Sequence, residues 1–246
     1  MTRSAKFLVF AALLALMVSI APAQPLPRAP EKADAAKATE LVVERTNAYR
    51  KEKKLEPVQV DKHLTAAAEY FAKFMADSGQ YGHEADGKKP AERAADHGYD
   101  YCMVLENIAY QYSSDGYDTE PLAEQFMQGW INSRGHRENL ENPHVVHIGV
   151  AIVRDEVGRY YAVQKFGRPE EMMLTFSIMN EAGVEVAYTL DEEKFTLAPR
   201  HGRKHTMCIT PKLRFTWEGA RELEPKDGTQ LTVRRNPRGQ FVVNTK

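Results

Sequence analysis

The residue pattern changes at Gly167-Arg168-Pro169, and this break constrains the fold more than any other feature of the chain. Ahead of it, apolar residues recur at helical spacing. Leu64, Ala67, Ala68, Phe71, Phe74 and Met75 make one stripe, with Asp61 placed to cap it and Ser78-Gly79 placed to end it. Behind the break the period shortens. Residues 172–179, 184–190, 194–197, 206–217, 230–235 and 240–244 read as short strands. Asn180-Glu181-Ala182-Gly183, Asp227-Gly228 and Asn236-Pro237-Arg238-Gly239 supply turns between them. Two architectures therefore follow one another.

The first part contains more than the one stripe. Residues 35–53 read as a helix through Leu41, Val42, Arg45, Thr46 and Tyr49, stopped before Pro57. A short helix opens at Pro90, and residues 120–131 turn Ala123, Phe126, Met127 and Trp130 inward. Residues 145–153 and 159–166 read as a hairpin through Glu156-Val157-Gly158. Helices followed by a hairpin with a buried face imply a layered α/β domain. The strands beyond it imply a small β-sandwich or half-barrel.

The chain opens with a basic stretch through Lys6, an apolar run over residues 7–20, and Ala21-Pro22-Ala23. These are the three parts of a secretory signal peptide cut before Gln24, and the run is short of the ~20 residues of a spanning helix. Residues 24–38, rich in Pro, Ala and Lys, read as a flexible leader. The expected organisation is a signal peptide over 1–23, a leader over 24–38, an α/β domain over 39–168 and a β-rich domain over 169–246. Export places the protein outside the cell or in a periplasm. No transmembrane segment is expected in the mature chain, and nothing sets an oligomeric state.

A net charge of −1 gives no field that would recruit nucleic acid. The balance is uneven: residues 200–246 hold eleven Lys and Arg against Glu218, Glu222, Glu224 and Asp227, so 11 − 4 = +7. Arg200, His201, Arg203, Lys204 and His205 crowd one loop after Pro199, the best candidate for contact with an anion, although an ordinary solvated hairpin surface is the preferred expectation. Cys102 and Cys208 are the two cysteines. A bridge would close a long loop and add about 4–5 kcal/mol in the chain-entropy description. Two separate buried thiols are the competing expectation and are slightly preferred.

Common hydrolase signatures are missing. His83-Glu84 lacks the second histidine of a helix-borne zinc protease, and there is no Gly-x-Ser-x-Gly elbow or phosphate-binding glycine loop. Chemistry rests instead on three separated stretches: His83 ahead of Glu84-Ala85-Asp86-Gly87, Glu106 in Leu105-Glu106-Asn107-Ile108-Ala109, and His136 in Trp130-Ile131-Asn132-Ser133-Arg134-Gly135-His136. Two imidazoles and a carboxylate make an open zinc site or a proton-moving pocket if the fold brings them together.

Their order resembles the CAP superfamily, also called SCP-like domains, in its bacterial branch. The resemblance spans about residues 40–168, from Asn47-Ala48-Tyr49-Arg50 to Tyr160-Tyr161-Ala162-Val163-Gln164-Lys165-Phe166-Gly167. It implies an α-β-α sandwich whose cleft gathers His83, Glu106 and His136, followed here by a small all-β domain of no recognised family. Animal and plant relatives place a second acid where this chain has Ser133, so the full set of two histidines and two acids is absent.

The preferred expectation is a secreted, non-catalytic binding module. Its cleft of His83, Glu106, His136 and Ser133 would take a metal ion, a lipid or an anionic cell-envelope polymer. His83, His136 and Glu106 are the metal-ligand candidates, with zinc as the cation. A metal-assisted hydrolase is the alternative, with Glu106 and His136 catalytic. A third reading makes the polar cluster a buried network in a rigid adaptor. Arg50 is expected to pair with an acid, His144 and His147 to lie at the cleft rim or surface, and Arg137 and Asn139 to brace the turn around His136.

Overall fold

The computed structural model describes residues 28–246. The stretch expected as a signal peptide, 1–23, and the first residues of the expected leader lie outside the described residues. Helix α1 (Ala35–Glu52) is capped by Asp34, whose side chain accepts from Lys37 N at 3.0 Å. It therefore starts inside the stretch expected as leader. Ala29 and Ala33 are already buried, and Ala29 N donates to Val157 O at 3.0 Å. The end of the leader is thus a docked segment.

Strand β1 (Gln59–Val60) leads into α2 (Lys62–Ser78), which carries the predicted stripe. Asp61 caps α2 by accepting from His63 N and Leu64 N, and Gly79 ends it in the left-handed region at φ 70°. Helix α3 (Pro90–Asp96), strand β2 (Tyr101–Gln111), helices α4 (Thr119–Asn132) and α5 (Arg134–Leu140), and strands β3 (His147–Arg154) and β4 (Tyr160–Pro169) complete the first domain. The sheet runs β1-β3-β4-β2, antiparallel except where β1 pairs with β3.

Each face of this sheet is covered. Ala68, Phe71, Ala72 and Met75 of α2 pack on Ile108, Ala151, Tyr161 and Val163. Val42 of α1 and Leu122, Phe126 and Trp130 of α4 pack on Ile148, Val150, Ile152 and Ala162. Burying one such large side chain contributes about 1.5–3 kcal/mol. The α-β-α sandwich is therefore present. Gly149 permits a close approach of α2 to the sheet, because a Cβ there would run into the backbone of Leu64 and Thr65.

The second domain is a sandwich of two four-stranded sheets. One runs β10-β9-β6-β7 and the other β12-β11-β5-β8. The strands are β5 (Leu174–Asn180), β6 (Val186–Leu190), β7 (Glu193–Leu197), β8 (Gly202–Met207), β9 (Leu213–Phe215), β10 (Glu222–Leu223), β11 (Gln230–Arg235) and β12 (Phe241–Thr245). The first sheet is antiparallel, whereas β5 pairs with β11 in parallel. Phe176, Ile178, Tyr188, Leu213, Phe215 and Val233 fill the space between the sheets. Trp217 stacks between Phe215 and Phe241 at 4.5 and 4.6 Å, tying the two sheets together at one side. The stretch 206–217, read as one strand, divides into the end of β8 and all of β9, which lie in different sheets.

The cysteines form a disulfide, Cys102–Cys208, with Cα atoms 5.5 Å apart. This corrects the preference for separate thiols: no local pattern announces that the residue after β8 folds back onto the start of β2. Arg168 strengthens the joint, donating to the carbonyls of Cys208 at 2.9 Å and His144 at 3.1 Å.

Candidate functional site

Strand β2 is an edge strand of the first domain's sheet, and pleating sends neighbouring side chains to opposite faces. Glu106 therefore turns toward α2 and α3, and Asn107 toward α5. Asn107 Nδ2 donates to Gln164 Oε1 at 2.9 Å and to the carbonyl of His136 at 3.2 Å. Gln164 donates onward to Thr46 at 2.9 Å. Asn139 of α5 donates to Asn107 Oδ1 at 2.8 Å and to the Glu106 carbonyl at 3.1 Å. These amides fix α5, and with it His136, against β2. Arg137 donates to Ile131 O at 2.8 Å, so the bracing role expected for Arg137 and Asn139 is observed.

The carboxylate of Glu106 is enclosed, its side chain 1% exposed. Oε1 accepts from His83 Nδ1 at 2.9 Å and from Arg93 Nη2 at 3.0 Å. Oε2 accepts from Arg93 Nη2 at 3.0 Å and from Lys165 Nζ at 2.5 Å. Burial by itself would raise its pKa. The His83 hydrogen bond and the charges of Lys165 and Arg93 outweigh burial and hold it below the usual carboxylate value. Burial pushes the Lys165 ammonium down, against the pull of Glu106.

Arg93 is the hinge of the cluster. It also donates to Asp86 Oδ1 at 2.7 Å, to Lys88 O at 2.6 Å and to His83 O at 2.7 Å, and its guanidinium lies 3.5 Å from the Phe71 ring centre. The loop that presents His83 is thereby fastened to α3. An ionised carboxylate only accepts, so His83 Nδ1 is the donor to Glu106, and a neutral ring would carry its lone pair on Nε2. No described side chain engages that nitrogen, and the His83 side chain is 48% exposed. The ring of His136 makes no hydrogen bond among the described residues. Burial, and then proximity to His83, lower its pKa.

The structure thus joins His83 to Glu106 directly and brings His136 near enough to His83 for their charges to interact. Ser133 sits between α4 and α5, half-buried, and its side chain makes no capping hydrogen bond. Arg93, Lys165 and Asp86 complete the cluster and were not singled out from sequence. Lys165 carried a signal: a charge in the otherwise uncharged stretch 160–166, with Glu106 opposite it in the ladder. Among the described residues Arg50 takes no acid, donating instead to the carbonyls of Glu56, Leu140 and Asn142. His147 pairs with Tyr99 Oη at 3.0 Å.

A three-ligand zinc site does not fit this donor set. Both Glu106 oxygens are already taken by cations and an imidazole N–H. Among the described residues no group of three or more His, Cys, Asp and Glu side chains is placed to hold a metal ion. The basic cluster after Pro199 also divides. Arg200, His201, Arg203 and Lys204 are exposed on the β7–β8 turn and along β8, an edge strand. His205 points inward, 8% exposed, its Nε2 2.7 Å from Tyr188 Oη.

An α-β-α sandwich with histidines at the edge of its sheet defines a class, and the comparisons agree. Residues 43–166, half of the chain, match the Cysteine-rich secretory protein family, CAP, and the chain belongs to that family. It is 34% identical over 128 residues to the uncharacterized protein YkwD of Bacillus subtilis, covering 52% of this chain and 46% of that one. It is 29% identical over 121 residues to the uncharacterized membrane protein YlbC of the same organism, covering 49% of this chain and 32% of that one. The chain thus spans less than half the length of either relative. An outer surface protein from Borrelia burgdorferi shares the fold with a TM-score of 0.50 at 19% identity, over 56% of this chain and 98% of that one. No helix among the described residues is long and apolar enough to cross a membrane.

Proposed function

We propose that this CAP protein is an exported, non-catalytic binding module for a cell-envelope component. Its cleft presents His83 and His136 to the ligand, with Glu106 beneath them as a positioning charge. The observation that carries this reading is the saturation of Glu106. A general base for water needs a carboxylate oxygen with room to take a proton and a pKa near working pH. Here both oxygens are engaged, and the pKa is displaced away from neutrality. The two imidazoles, by contrast, retain unengaged nitrogens, which suits recognition. Export is supported by the tripartite N-terminus and by the secretory character in the family's name.

Co-sedimentation with isolated cell-envelope material, alongside zinc calorimetry and a peptide-hydrolysis assay, tests the proposal. The parent should co-sediment, His83→Ala/His136→Ala should do so less, and neither should hydrolyse peptide. Tight one-site zinc binding with turnover, both lost in the double variant, would replace this reading with the hydrolase.

A further inference from the structure

Beyond the histidines, the free edge of β2 carries features that the cleft does not use. Tyr81 and Tyr110 stand beside it with 47% and 50% of their surfaces exposed, ring centres 5.1 Å apart and nearly perpendicular. Tyr161 backs Tyr110 at 5.9 Å. On the other side of the strand, an open groove of about 420 Å³ runs along α4. Gln111, Gln125, Gln128 and Asn132 are among the residues lining it.

The groove is close to electrically neutral. Its one acid, Glu124, is met by Arg45 at 3.3 Å and accepts from Gln128 Nε2 at 2.9 Å. Among the described residues an anionic polymer finds no free cation in the lining, and a cationic ligand finds only a compensated carboxylate. Addition of a peptide strand is obstructed as well. The Ile108 carbonyl already accepts from Tyr81 Oη at 3.2 Å and Trp130 Nε1 at 3.4 Å, and the Glu106 carbonyl accepts from Asn139. A strand adding to this edge needs those acceptors for its own N–H groups.

Side chains therefore do the recognising. Amides offer paired donors and acceptors to a ligand rich in hydroxyls, and exposed phenol rings offer apolar faces with a polar tip. We propose that the β2 edge and the α4 groove form a binding site for a neutral oligosaccharide, with Tyr110 and Tyr81 as the stacking platform and Gln111, Gln125, Gln128 and Asn132 reading hydroxyl groups. This rests on the binding-module reading and adds a second binding surface outside its cleft.

The experiment is calorimetry of the full chain with neutral tetrasaccharides of β-1,4-linked glucose, β-1,4-linked N-acetylglucosamine and α-linked mannose, and with an uncharged peptide as comparison. Tyr110→Ala removes an exposed ring. Gln125→Ala/Gln128→Ala changes the groove alone and guards against a folding defect in the first variant. At least one saccharide should bind, and each variant should weaken it about tenfold. Binding of no saccharide overturns the proposal, as does binding indifferent to both variants or a preference for the peptide. Saccharide binding lost in His83→Ala/His136→Ala but unchanged in the groove variants moves the ligand into the cleft. That outcome sinks the groove proposal and leaves the binding module standing. Envelope co-sedimentation without saccharide binding does the same.

Discussion

The two domains treat buried polarity in opposite ways. The first encloses Arg50, Arg93, Glu106 and Lys165, four ionisable side chains no more than 5% exposed. In the second, the buried polar side chains among the described residues are Asn180 and His205. A small all-β core reaches its stability by apolar packing, and its one buried imidazole is sandwiched among Phe176, Phe195 and Tyr188. Buried charge costs several kcal/mol per ion unless paired. Three of the four, Arg93, Glu106 and Lys165, meet beside one cleft, where the first domain exchanges stability for a fixed arrangement of donors.

The strongest way to break this contrast is Glu106→Ala. It strips Arg93 and Lys165 of their shared anion and should cost about 3–5 kcal/mol in chemical denaturation. A loss below about 1 kcal/mol would mean that solvent reaches the cluster and that the burial argument fails. Next comes Cys102→Ser/Cys208→Ser. The bridge spans 106 residues, and losing it should cost about 2–5 kcal/mol. Two resolved unfolding transitions in the variant, against one in the parent, would show that the disulfide couples the domains.

The smallest effect is pH dependence. Burial, then Arg203, lower the pKa of His205 from its ordinary 6.5, while Glu193 works the other way. The unfolded chain therefore takes up a proton first. Stability is complete above pH 6.5 and declines as pH falls below it. His136 is shifted the same way and adds to the slope. Melting temperatures from about pH 7.5 to about pH 5 should fall less in His205→Gln than in the parent. Equal slopes would assign the dependence to the first domain alone.

The parts of the fold legible in sequence were those written in local periodicity. The α2 stripe, the turn at residues 156–158 and strand 230–235 needed only neighbours to be read. What escaped depends on partners distant in the chain. The bond to Lys165 crosses 59 positions, and the disulfide crosses 106. His205 looked basic and exposed beside Arg203 and Lys204, yet strand alternation turns it inward. The site was half legible. His83, Glu106 and His136 stood out, but their donor capacity depended on Arg93 and Lys165, whose pairing only the β2–β4 register and the α3 anchor create.

The disulfide has a mechanical consequence for a protein held at its ends. Tension entering at the N-terminus travels to Cys102, crosses the sulfur bridge, and leaves through residues 209–246. The covalent path bypasses the intervening loop, which contains Glu106, His136, Lys165, the α4 groove and strands β3 through β8, whereas His83 and Tyr81 lie on that path. The bridge hides about 350–380 Å of extensible chain, released only on reduction. A chain pulled until it unfolds would thus keep Glu106, His136 and the α4 groove off the covalent load path, while His83 and Tyr81 would bear it.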